Sequence, residues 1–152
     1  MNFFTSDIHF FHAALLGKND FAPRLFATVE EMNQQLIASW NAVVKETDHV
    51  YHLGDLAMHP QYEKGSLEIL ELVQQLNGTI HFIKGNHDSR NFFRYLEKHD
   101  PGNKDGTKKF YFYDVGAIVK FNHHQYYLTH YPMLLGPNDT IRNLHGHIHH
   151  YS

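Results

Sequence analysis

A chain of 152 residues with 42% hydrophobic and 19% charged residues has room for one domain with a real core and too little for two, and it lacks the composition of a disordered polymer. A net charge of −3 and a pI near 6.5 supply no bulk field for nucleic acid or an anionic membrane, so an anionic substrate would have to be held locally. The absence of cysteine excludes disulfides, thiolate metal sites and cysteine nucleophiles together, while no apolar run approaches the roughly 20 residues of a membrane span.

Met1-Asn2-Phe3-Phe4-Thr5 has neither the basic start nor the long apolar stretch of a signal peptide, which makes a cytoplasmic protein the default expectation. Fifteen histidines are the compositional anomaly, and they favour metal binding or proton transfer.

The first element is a short buried strand, Asn2-Phe3-Phe4-Thr5-Ser6, delivering Asp7 and His9 at its end. Side chains two apart on a strand point the same way, so the two could grip one ion. Residues 10–27 form an aromatic, irregular segment carrying His12, Pro23 and Arg24. Thr28 and Glu31 have the form of a capping box, opening a helix whose apolar stripe is Val29, Met32, Leu36, Trp40 and Val43.

His49-Val50-Tyr51-His52-Leu53-Gly54-Asp55 reads as a second strand ending in a glycine and a carboxylate. After a loop over residues 56–65, Leu67, Leu70, Val73 and Leu76 mark a second helix, with Ser66 as N-cap and Gly78 past its end. Residues 79–84 form a third strand that runs into Gly85-Asn86-His87-Asp88. Alternating strands and helices predict βαβ units and parallel pairing, and in such sheets ligands gather beyond the C-terminal strand ends. Asp7, His9, Asp55, Asn86 and His87 all fall there.

Residues 91–97 suggest a short helix and residues 99–109 a polar turn region. Phe110-Tyr111-Phe112-Tyr113, Ala117-Ile118-Val119-Lys120-Phe121 and Tyr126-Tyr127-Leu128-Thr129 then suggest a meander or hairpins. The third run ends in His130, and a last strand over residues 141–144 ends in His145-Gly146-His147-Ile148-His149. There is no repeat or linker, so residues 1–152 are expected to form a single domain.

Five strand ends thus carry ligand-type side chains: Asp7-x-His9, Gly54-Asp55, Gly85-Asn86-His87-Asp88, His130 and Gly146-His147-x-His149. Their order resembles the calcineurin-like metallophosphoesterase superfamily, in particular a small bacterial branch that shares Ser6-Asp7-Ile8-His9-Phe10-Phe11-His12 and Val50-Tyr51-His52-Leu53-Gly54-Asp55. The resemblance implies an α/β fold, a four-layer αββα sandwich with two mixed sheets and two metals at the strand ends. One metal would be held by Asp7, His9, Asp55 and His149, the other by Asp55, Asn86, His130 and His147, with Asp55 bridging.

Imidazoles mixed with carboxylates suit Mn, Fe, Zn, Co or Ni better than Mg or Ca. Two cations about 3.5 to 4 Å apart can lower the pKa of a bridging water and clamp a phosphoryl group, which implies in-line hydrolysis of phosphodiesters or phosphomonoesters. His87 is then the general acid and Asp88 its orienter, with His12 and Arg24 as candidates for holding substrate phosphate. His145 is implied to stand behind the ligands.

The family usually continues past G-H-x-H into further strand, which implies either a shortened chain or a minimal member here, with an exposed sheet edge and a less well supported His149. Two other readings stand beside catalysis: a non-catalytic member binding a protein through its metal-site face, and an HD-type hydrolase built on His87-Asp88. The β-rich second half argues against the latter. Small phosphate esters, nucleotides among them, are the expected substrates. Phe10, Phe11, Phe21 and Phe26 could stack a base, although no groove for nucleic acid is apparent. Oligomeric state stays open.

Overall fold

Short apolar runs that each end in a turn cannot bury themselves alone, and here they pair in two sheets. The computed structural model describes residues 1–58 and 63–149. β1 (Asn2–Thr5), β2 (His49–His52), β3 (Thr79–Ile83) and β4 (Phe110–Tyr113) form one sheet in that order, parallel throughout. α1 (Val29–Val43), α2 (Glu63–Val73) and α3 (Arg90–Lys98) connect its strands. A second sheet contains β5 (Gly116–Phe121), β6 (His124–Thr129) and β7 (Ile141–His145), with β5 antiparallel and β7 parallel to β6.

The meander expected in the second half is therefore corrected. β4 leaves that run to join the first sheet, because the Asp100 carboxylate accepts the N–H groups of Lys109 and Phe110 and sets the strand beside β3. Only β5 and β6 make a hairpin. Its turn residues Asn122 and His123 have φ of 49° and 62°, the pair of left-handed residues whose twist suits a two-residue connection.

Val50, Ile80, Phe82 and Phe110 project from the first sheet into a core closed by Ile37 and Trp40 of α1, Ile69 and Val73 of α2, and Phe92, Phe93 and Leu96 of α3. Leu53 and Ile83, with Phe4, Tyr51 and Tyr113 beside them, meet Leu128, Val119, Tyr126 and Leu144 of the second sheet. The far face of that sheet carries Ile118, 53% exposed. Among the described residues the architecture is thus three layers, helices on sheet on sheet, in place of the four-layer expectation, and the first sheet is parallel rather than mixed.

The Thr28 side chain caps α1 by accepting the Glu31 N–H, while Glu31 reaches back to the Ala27 N–H. Ile37 faces the core, whereas Val43, assigned to the stripe from the sequence, is 61% exposed. α2 starts at Glu63 and includes Ser66, which is buried inside the helix instead of capping it. Leu67 turns outward while Ile69, Leu70, Val73 and Leu76 pack inward. α3 is capped by Ser89, whose hydroxyl accepts the Phe92 N–H. No described helix is long and apolar enough to cross a membrane.

Candidate metal centre

The loops that follow β1, β2, β3, β6 and β7 converge at one edge of the two sheets. Their backbone is unusual: Asp7, His9, Asp55, His147 and His149 all have φ between 48° and 69°, and they make up five of the eight non-glycine residues with positive φ among those described. Such conformations cost energy in a side-chain-bearing residue and persist only where surrounding structure enforces them. The strand-parity argument for Asp7 and His9 is corrected accordingly. β1 ends at Thr5, and a left-handed loop, not alternation along a strand, brings the two side chains together.

The enforcing contacts are mainly between loops. The N–H groups of Asp7, His9 and Phe10 donate to the carbonyls of Gly54, Asp55 and Leu56, and the Gly146 N–H donates to the His130 carbonyl. A Cβ at Gly54 would overlap the His130 ring, one at Gly85 the Asp55 carboxylate, and one at Gly146 the Asp7 carboxylate. These three glycines are needed for close approach beside the ligand atoms.

Three groups of donor atoms gather within 4.8 Å: Asp7, His9 and His149; His9, Asp55 and His87; and Asp55, His130 and His147. His9 Nε2 lies 3.7 Å from Asp7 Oδ1 and 3.8 Å from Asp55 Oδ2; His149 Nε2 lies 3.5 Å from Asp7 Oδ1. On the other side, His130 Nε2 is 3.5 Å from Asp55 Oδ2 and 2.8 Å from Asn86 Oδ1, which is also 2.9 Å from His147 Nδ1. Ligands about 2.1 Å from a shared cation stand about 3.4 Å apart at tetrahedral angles and about 3.0 Å at right angles, so the carboxylate–imidazole spacings are near the first and the Asn86 spacings near the second. His9 Nε2 is also buried with no hydrogen-bond partner, as a nitrogen aimed at a cation would be. The donor set is of a kind that could hold divalent metal.

The groups behind the ligands fix them. His130 donates through Nδ1 to the Leu53 carbonyl at 2.9 Å, leaving Nε2 for a metal. His9 Nδ1 faces His12 Nδ1 at 3.2 Å. Burial opposes ionisation of Asp7, but the facing His9 ring, the Ser6 hydroxyl, the nearby His149 and the His147 N–H outweigh it and hold the carboxyl well below the ordinary range. His12 is pushed down to about 4 by desolvation and by the neighbouring His9, His87 and Arg24, so near pH 7 it is neutral and able to accept.

Two side chains given roles from the sequence are engaged with the main chain. The Asp88 carboxylate does not serve to orient His87: it is buried and accepts the backbone N–H groups of Asp55, Leu56 and Gly85, tying the β2 loop to the β3 loop. Its desolvation raises its pKa, against the lowering effect of those bonds. The Arg24 guanidinium, expected to hold substrate phosphate, donates to the carbonyls of Asp7 and Ile8.

The His87 ring lies 5.3 Å from that of His9 and 5.8 Å from that of His12. His52 points to the helix side of the sheet, is fully buried without a partner, and is kept neutral by desolvation, which pushes its pKa down to about 3. His145 hydrogen-bonds to the Gly146 carbonyl and lies outside the three donor groups. His59 and His150, assigned no role, lie outside the described residues.

Among the aromatic candidates for base stacking, Phe10 is fully buried in the core, while the Phe21 ring lies 4.2 Å from that of His149. Sequence reasoning passed over Tyr131, whose half-exposed ring stands 4.7 Å from His147 and 5.0 Å from His130. Its place directly after His130 was the available signal.

The family model described as calcineurin-like phosphoesterase matches residues 3–151. The chain is 38% identical over 138 residues to the uncharacterized protein MJ1445 of Methanocaldococcus jannaschii, covering 85% of this chain and 72% of that protein. It is 34% identical over 85 residues to the gene 66 protein of Mycobacterium phage L5, covering 56% of this chain and 38% of the phage protein. A crystal structure of AQ665, a protein of unknown function from Aquifex aeolicus, shares the fold with a TM-score of 0.60 at 24% identity; the match covers 87% of this chain and 61% of that one.

Proposed function

The chain belongs to the calcineurin-like phosphoesterase family, and from this we propose that it is a metal-dependent phosphoesterase that hydrolyses phosphodiester or phosphomonoester bonds at two divalent cations. The observation that carries the proposal is the position of Asp55 Oδ2, which stands between His9 Nε2 at 3.8 Å and His130 Nε2 at 3.5 Å, as a carboxylate shared by two cations must. Asp7, His9, Asp55 and His149 hold one cation, and Asp55, Asn86, His130 and His147 the other. Such a pair, when bound, supplies Lewis acidity toward water and the phosphoryl oxygens.

The remaining work falls to this chain. The four imidazoles and two carboxylates favour Mn, Fe, Zn, Co or Ni over Mg or Ca, and the Asn86 carbonyl contributes a ligand atom without adding charge. The bond from the His87 N–H to Asp55 Oδ1, 2.9 Å long, ties the backbone of the proposed acid to the shared ligand. From there the imidazole delivers its proton to the departing ester oxygen.

The test is turnover of bis-p-nitrophenyl phosphate and p-nitrophenyl phosphate by protein loaded with Mn or Ni, with metal content measured on the same sample. His87→Ala should keep both metal equivalents while kcat falls by about 10²- to 10⁴-fold. Unchanged turnover would remove His87 from the mechanism. A wild type that binds metal but turns over neither ester nor any of a panel of nucleotides would favour the partner-binding reading instead.

A further inference from the structure

Arg24 is half-buried in a segment without regular structure, yet both faces of its backbone are pinned: its N–H donates to the Leu15 carbonyl and its own carbonyl accepts the Gly17 N–H. Its side chain crosses to a loop sixteen and seventeen residues earlier, where Nη1 donates to the Ile8 carbonyl at 2.5 Å and Nη2 to the Asp7 carbonyl at 2.8 Å. Nη1 also lies 3.7 Å from the sulfur of Met32, a fully buried residue of α1. Desolvation lowers the pKa of the guanidinium, yet it remains charged at any working pH.

This loop is the one with φ of 55° at Asp7 and 52° at His9. Its N–H groups at Asp7 and His9 are taken by the carbonyls of Gly54 and Asp55. Its carbonyls at Asp7 and Ile8 are taken by Arg24. A planar fork can satisfy two consecutive carbonyls at once, which a single ammonium cannot do in the same geometry. Removing it leaves the carbonyls of half-buried Asp7 and buried Ile8 unpaired in a strained loop, and a left-handed backbone is easily lost when its restraints go.

We propose that Arg24 is a positioning residue for the cation held by Asp7, His9 and His149, acting by gripping the Asp7 and Ile8 carbonyls so that Asp7 Oδ1 and His9 Nε2 face one point. The inference rests on the dinuclear reading above. It assigns Arg24 no contact with substrate, and it concerns one half of the centre, since no ligand of the Asn86, His130 and His147 set is hydrogen-bonded to it.

The experiment titrates full-length metal-free protein with Mn²⁺ by calorimetry, counts bound metal after dialysis, and records thermal melts of the metal-free proteins. Wild type should bind two equivalents. Arg24→Met should retain one with native affinity and bind the other about 10- to 100-fold more weakly, the usual cost of losing a group that orients a ligand. Arg24→Lys should recover only part of the loss. In Arg24→Ala, millimolar guanidinium should restore the weak equivalent by refilling the space.

Two native equivalents in Arg24→Met would overturn the inference while leaving the phosphoesterase reading intact. Equal weakening of both equivalents would also overturn it, because that is the signature of general destabilisation. A wild type that binds no Mn²⁺ would overturn both. If Arg24→Met fails to fold, Arg24→Lys carries the same comparison.

Discussion

The half of the centre around Asn86, His130 and His147 and the half around Asp7, His9 and His149 share Asp55 but draw on different support. In the first, His130 is 1% exposed, directly follows β6, and is fixed through Nδ1 to a main-chain carbonyl of the β2 loop. Asn86 follows β3, a strand buried along its whole length. In the second, Asp7, His9 and His149 all have left-handed backbone, as only His147 does in the first apart from the shared Asp55, and their loops are held by bonds to other loops and by Arg24. A rigid strand end can place one ligand cheaply, whereas bringing Asp7 to His149, which follows β7, requires a loop whose shape is imposed from outside.

Asp55→Asn tests the shared element and should have the largest effect. Removing its negative charge at the bridging position should reduce metal to below one equivalent and abolish turnover, as measured by metal analysis and the p-nitrophenyl assays. Retention of two equivalents would remove Asp55 from the bridge. His149→Ala should be more selective, losing the cation of the Asp7 half and keeping the other. If both equivalents vanish together, the two halves are one cooperative unit and the contrast drawn here fails.

The smallest expected effect lies at His81, in the middle of β3, and asks whether acid sensitivity belongs to the centre alone. His81 stacks on Tyr51 and Tyr111, hydrogen-bonds to His49 and Tyr113, and is pushed from 6.5 down to about 4 by desolvation and the adjacent His49. Its folded pKa lies below its unfolded one, so the unfolded chain binds more protons as pH drops below 6.5. Stability contributed by the neutral ring is present above that pH and lost on acidification toward about 4. Urea melts of metal-free His81→Phe should show a shallower decline over this window than wild type. An unchanged slope would place the acid sensitivity elsewhere.

Much of this was legible in short stretches. Gly54-Asp55, Gly85-Asn86-His87-Asp88 and Gly146-His147-x-His149 declare themselves because the glycines and donors of each motif are neighbours in the chain. The alternation of strand and helix up to β3 is equally local. What was not legible depends on distant partners. The Asp88 carboxylate spends two of its three bonds on N–H groups 32 and 33 residues away, and Arg24 meets carbonyls 16 and 17 residues back. Neither target is marked by residue type, since both are main chain. β4 looked like part of a hairpin for the same reason: its aromatic run is compatible with either sheet, and the choice is made by Asp100 from outside the strand.

The bond from the His147 N–H to Asp7 Oδ2 spans 140 residues, so Asp7 and the Gly-His-x-His turn meet only when almost the whole polypeptide is in place. Contacts with such separation pay the highest loop-closure entropy and are expected to form late in folding. A cation held across them should act after the rate-limiting barrier: it should slow unfolding and leave the refolding rate nearly unchanged. Stopped-flow refolding and unfolding with and without Mn²⁺ would show this as a shift of one chevron limb. Metal retention would then measure how long the finished chain lasts more than how fast it forms.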